Sequence, residues 1–144
     1  MLIVSVCVMA MRISSYNCRS VKLNVQSVRD LCAQSDIICL QETWLPVQEL
    51  SYLSLIDRNF SSYGSSPVDL SHQVLDGRPY GGVAIMYRKN LHPCISCVPT
   101  TNKRLISIDV SIDSICLRLI NCYMPYDNGR NIDEYLNVDP TYFV

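Results

Sequence analysis

An apolar run that ends in a carboxylate constrains this chain more than any other feature. The segment DIICLQETWL, residues 36 to 45, carries Ile37, Ile38, Cys39 and Leu40 without a polar break, then turns to Gln41, Glu42 and Thr43. A short continuous apolar run fits a strand covered on both faces, the habit of parallel strands in α/β proteins. Upstream, MRISSYNC (11 to 18) reads as a strand with a polar tip. NVQSVRDLCAQ (24 to 34) sets Val25, Val28, Leu31 and Cys32 at helical spacing behind Asn24, an expected N-cap. Strand, helix and strand within about thirty residues make a βαβ unit, whose two strands run parallel.

Downstream the rhythm changes. After Pro46, VQELSYLSLI (47 to 56) reads as a short helix with Val47, Leu50 and Leu53 or Tyr52 on one side. Residues 61 to 79 are rich in Ser, Gly, Pro and Asp and read as loop with one strand at most. GGVAIMY (81 to 87), CISCV (94 to 98), RLISIDVSI (104 to 112) and ICLRLINCY (115 to 123) follow closely as strands. The third alternates Ile106, Ile108, Val110 and Ile112 with polar residues, and Asp113-Ser114 is a tight connection, so the last two strands are expected to pair as a hairpin. The fold class is therefore α/β, a mixed sheet with helices on one face. Nothing evident in the chain is left for the sheet's other apolar face, which is expected to be exposed and open to self-association. Residues 1 to 11 read as an apolar extension running into the first strand, 12 to 128 as the domain, and 129 to 144 as a turn-rich tail.

Composition narrows the classes. With 49% apolar and 17% charged residues in 144, disorder is excluded. A net charge of −1 gives no global attraction to nucleic acid, so a polyanion would have to be held by local groups or a metal. Eight cysteines raise a disulfide scaffold. Cys18, Cys39, Cys116 and Cys122, however, sit in apolar runs where free Cys behaves as a small hydrophobe, which favours a reduced, intracellular protein. Cys94 and Cys97 are three apart in a strand, on opposite faces, a poor zinc chelate. The apolar start is too short to span a bilayer and lacks a basic flank, although secretion is the alternative it leaves open. No membrane partner is expected.

Three apolar strands end in groups with chemical capacity: Asn17, Glu42 and Tyr123. Ligands of α/β sheets gather beyond the carboxyl ends of strands, where the parallel pair would place Asn17 and Glu42 together. A lone carboxylate beside an amide suits Mg²⁺, a hard cation that takes one or two carboxylates and substrate phosphates. Taken singly, each residue is as well explained by a turn, a cap or a loop anchor.

Taken in order, RISSYNCRSV, DIICLQETWL, GGVAIMYRK and INCYMPYD resemble the successive blocks of the endonuclease/exonuclease/phosphatase superfamily, the DNase-I-like fold. The wording is most similar to endonuclease domains of LINE-type retrotransposons, over residues 12 to about 128. The resemblance implies a Mg²⁺- (or Mn²⁺-) dependent hydrolase of DNA phosphodiesters, nuclear if it follows the family. Glu42 would be the metal ligand, Asn17 would order the site, and Tyr123 would turn its hydroxyl toward the phosphate. Arg78 and Tyr80 would lie in a loop facing substrate, or hold that loop. The superfamily's four-layer α/β/β/α sandwich completes its site with an Asp-x-Asn pair after the tyrosine and a Ser-Asp-His block. Neither occurs here: Asp57-Arg58-Asn59 precedes the GGVAI block, and Ser71-His72 lacks the aspartate. The resemblance therefore implies the first half of the sandwich, impaired as a catalyst when alone, or else a non-catalytic, partner-binding half-domain.

Overall fold

A computed structural model describes residues 3–8 as backbone, and residues 11–71, 77–112 and 114–124 with their side chains. His72, Asp113 and the expected tail 129–144 lie outside the described residues. The first sheet has the order β1-β2-β3-β5-β4, built from β1 (Ile3–Val8), β2 (Met11–Asn17), β3 (Ile37–Gln41), β4 (Phe60–Ser65) and β5 (Val83–Arg88). β2 and β3 are parallel, in register from Ile13↔Ile37 to Asn17↔Gln41, and every other neighbouring pair is antiparallel. Part of the apolar N-terminal run is thus a strand in its own right, paired along β2.

The helix α1 (Val25–Gln34) links the parallel pair and buries Val28, Leu31 and Cys32. A 3₁₀ helix, Val47–Leu55, adds Leu53 to the same side. Both cover the sheet face that carries Tyr16, Ile38, Leu40, Ala84 and Met86. This agrees with helices on one face. Asn24 departs from expectation: it occupies the N-cap position but makes no side-chain cap. Its amide turns back instead and donates to the Cys18 carbonyl at 2.8 Å.

The expectation of an exposed second face is corrected. A separate antiparallel sheet, β6 (Ile95–Val98), β7 (Leu105–Ile112) and β8 (Ile115–Cys122), packs on it. Ile106, Ile108 and Val110 of β7 and Ile95 of β6 interlock with Ile37, Cys39, Val83, Ile85 and Tyr87 of the first sheet. The physical reason lies in the alternation of RLISIDVSI: its apolar side needs cover as much as the first sheet's does, and each covers the other. Fully burying one such side chain contributes about 1.5–3 kcal/mol, so the two faces stay together. The ground for self-association through that face falls with its exposure. The described residues form three layers, helices on sheet on sheet.

Candidate active site

Side chains from both sheets converge at one end of these layers. β2 and β3 are parallel, so Asn17 and the residue after Gln41 leave the first sheet at the same edge, while β5 begins there with Gly81-Gly82 before it. The loop after β3 is held by backbone bonds from Thr43 N–H to the Gly82 carbonyl (3.2 Å) and from Trp44 N–H to the Gly81 carbonyl (2.9 Å). Glu42 and Trp44 pay conformationally for this anchoring, with φ of 53° and 54°. Non-glycine residues in the left-handed region are uncommon, cost on the order of 1–3 kcal/mol each and cluster at functional sites. Gly82, at φ +82°, cannot carry a side chain: a Cβ would run into Thr43 Oγ1.

The second sheet is tied to this edge through Asn121. Its buried amide donates to the carbonyls of Leu40 (2.9 Å) and Ala84 (2.8 Å), and its oxygen accepts from Gln41 Nε2 at 2.6 Å. That fixes the end of β8, and Tyr123 N–H then donates to the Arg104 carbonyl at 3.0 Å.

Asn17 and Glu42 bond directly at this edge, and Tyr123 stands near them. Asn17 Nδ2 donates to Glu42 Oε1 at 2.8 Å. The Tyr123 hydroxyl stands close enough to the Glu42 carboxylate to feel its charge. Burial and then that carboxylate hold the Tyr123 phenol above its usual range, while Arg104 and Arg19 pull it the other way. The phenol is therefore protonated at neutral pH and available as a donor. Arg78 lies beside this cluster with its guanidinium 4.9 Å from the centre of the Trp44 ring, a cation–π contact that fixes the loop. Tyr80 is exposed.

The donor set decides what cation could bind. Among the described residues no three His, Cys, Asp or Glu side chains come together, so a closed protein cage is not available. A single half-buried carboxylate with an amide and a phenol at an accessible edge does fit Mg²⁺ or Mn²⁺, which keep several waters and take the remaining oxygens from substrate. It does not fit Zn²⁺, which prefers Cys and His. The thiol of Cys18, just behind Asn17, is pushed up to about 12 by burial and stays a neutral donor to the Gln41 carbonyl.

Gln41, Asn121 and Arg19 were not singled out from the sequence, although Gln41 and Asn121 each stand one or two places from a residue that was. Their signal is the same in both strands: an amide placed where an apolar strand reaches the interior edge.

The fold and the strand-end carboxylate stand together with a family assignment from sequence comparison. The chain belongs to the Endonuclease/Exonuclease/phosphatase family, whose model matches residues 14–131. No curated protein matches it. It is similar in fold to the 3′ phosphatase NExo from Neisseria, solved bound to a product DNA hairpin, at TM-score 0.54 and 24% identity over 79% of this chain and 41% of that one. The AP endonuclease LMAP from Leishmania major is similar at TM-score 0.56 and 22% identity, over 80% and 40%. The endonuclease domain of TRAS1, a telomere-specific non-LTR retrotransposon, is similar at TM-score 0.51 and 14% identity, over 88% and 49%. The chain thus spans less than half the length of each of these structures.

Proposed function

We propose that this chain carries the metal-binding half of a Mg²⁺-dependent phosphodiester hydrolase acting on DNA, of the retrotransposon-endonuclease kind. The observation that carries the reading is the bond of Asn17 to the Glu42 carboxylate at the ends of the parallel strands, with Tyr123 of the second sheet near enough to feel that carboxylate. Glu42 would hold the divalent cation. When bound, the cation would stabilise charge on the phosphate oxygens during in-line attack of water. Asn17 orients the carboxylate through its bond to Oε1. Tyr123, kept protonated, donates toward the same centre. The DNA partner is supported by the complex of the Neisseria relative with a DNA hairpin.

Residues 1–144 contain neither the Asp-x-Asn nor the Ser-Asp-His block of the superfamily. Groups that act as a unit lose most of their rate when one is missing. The chain by itself is therefore expected to bind metal and DNA with little turnover. Supercoiled plasmid incubated with the chain in Mg²⁺, in EDTA, and with Glu42→Ala tests this. The expected result is Mg²⁺-dependent binding without nicking above the Glu42→Ala background. Strong nicking that needs both Mg²⁺ and Glu42 would refute the expected impairment. A folded chain that binds neither metal nor DNA would refute the reading as a whole.

A further inference from the structure

The segment between β2 and α1 continues along the loop after β3 with one residue too many. Cys18 N–H donates to the Gln41 carbonyl (2.9 Å), Ser20 N–H to the Glu42 carbonyl (2.8 Å) and Val21 N–H to the Thr43 carbonyl (3.0 Å). Two steps from Cys18 to Ser20 therefore oppose one step from Gln41 to Glu42. Arg19 is the extra residue of a bulge, and bulges beside active sites re-aim a side chain. The backbone shows the cost: Arg19 has φ 41° and Ser20 φ 81°, both left-handed and neither a glycine. Such a pair persists only where its surroundings hold it, and here the holder is identifiable. Asn24 Nδ2 lies 2.8 Å from the carbonyl oxygen of Cys18 and 3.4 Å from those of Arg19 and Ser20. The amide spans the bulge in place of capping α1.

The side chain so presented is uncommitted. Arg19 is exposed, and among the described residues its guanidinium has no ion-pair partner. The other cation of this loop, Lys22, is already engaged with Glu49 at 2.6 Å and over the Tyr52 ring. Arg19 lies between Cys18 and Ser20, whose N–H groups bond the Gln41 and Glu42 carbonyls, and its charge acts on the nearby Tyr123 hydroxyl. A guanidinium offers a planar fork of donors matched to phosphate oxygens.

We propose that Arg19 is a phosphate-contacting residue of this site, presented to a DNA strand by a bulge that the Asn24 amide holds closed. The proposal rests on the hydrolase reading and adds a specific contact to it. Asn24 is a positioning residue that acts through Arg19.

Fluorescence anisotropy of a labelled DNA duplex, titrated with the full chain in Mg²⁺ over a range of salt, tests it. Arg19→Ala is expected to weaken binding about tenfold, the loss of one charge-assisted contact. It should also lower the slope of log affinity against log salt by about 0.9, the contribution of one phosphate. Asn24→Ala should produce part of both effects and should add nothing on top of Arg19→Ala, a coupling that general loosening of the loop would not give. Arg19 is exposed, so its substitution leaves the core intact and carries the test even where Asn24→Ala fails to fold. Binding and salt slope unchanged in Arg19→Ala, with a wild-type chain that binds, would overturn this proposal and leave the hydrolase reading standing. A folded wild-type chain that does not bind the duplex would overturn this proposal, and one that binds no divalent metal either would overturn the hydrolase reading with it.

Discussion

Replacing Asn121 by alanine tests the link between the two sheets and the site at once. Asn121 is buried and makes three hydrogen bonds, at 2.6, 2.8 and 2.9 Å, all to groups of the first sheet. At roughly 1 kcal/mol net for each bond, and with the carbonyls of Leu40 and Ala84 losing a buried donor, Asn121→Ala is expected to destabilise the fold by about 3 kcal/mol. A domain of this size holds on the order of 5–15 kcal/mol, so the loss is a substantial fraction. With a urea m-value of about 1–3 kcal/mol/M, the midpoint should fall by about 1–3 M. Trp44 is the only tryptophan and sits in the loop after Glu42, so its emission reports the site edge while far-UV circular dichroism reports the sheets. Arg58→Ala, at an exposed position, is the control and should move the midpoint by less than about 0.5 kcal/mol equivalent. An Asn121→Ala midpoint equal to that of the control would refute the claim that this amide joins the sheets.

Three further outcomes follow from named groups. Gly82→Ala should destabilise by about 2 kcal/mol or more in the same urea assay, because φ +82° disfavours a Cβ that would also strike Thr43; an unchanged midpoint would contradict the tight Thr43–Gly82 approach. Burial pushes the thiols of Cys18, Cys32 and Cys39 up to about 12, so these three should resist maleimide at pH 7 in the folded chain, and mass spectrometry should find eight labels after denaturation. Burial raises Asp36, but the Arg12 N–H, the Arg12 charge and the Arg88 side chain outweigh it and leave the carboxyl below its ordinary value. A depressed folded pKa contributes stability above the unfolded value near 3.9 that is lost as pH falls through the folded pKa. Wild type and Asp36→Asn should therefore differ in midpoint at pH 7 and converge toward pH 2; a difference that persists unchanged at pH 2 would contradict this.

What could be read ahead of the structure follows physical lines. The βαβ unit was legible because Ile37–Leu40 is apolar without a break and Val25, Val28, Leu31 and Cys32 keep helical spacing. The β7–β8 hairpin was legible from its period of two and its short connection. Asn17, Glu42 and Tyr123 were legible as strand ends, and their convergence depends on the parallel register of β2 and β3, which the βαβ pattern implies. The packing of one sheet on the other was not drawn from the sequence, although the amphipathic pattern of β7 required a partner for its apolar side. Asn24 misled because residue type and position both suit a cap, while the choice of acceptors depends on a bulge that no local pattern encodes. Asn121 and Gln41 escaped because an amide at the end of an apolar strand does not say which residue, 80 positions away, it will bond.

Glu42, with Asn17 and Tyr123, is the proposed seat of the divalent cation. Paramagnetic broadening by Mn²⁺ of the chain's NMR resonances tests it most directly, without relying on turnover. Broadening is expected to centre on residues 17, 42 and 123, to include the Asn17 side-chain amide, to spare Arg58 and Lys89, and to vanish in Glu42→Gln. Broadening centred elsewhere, or unaltered in Glu42→Gln, would contradict it.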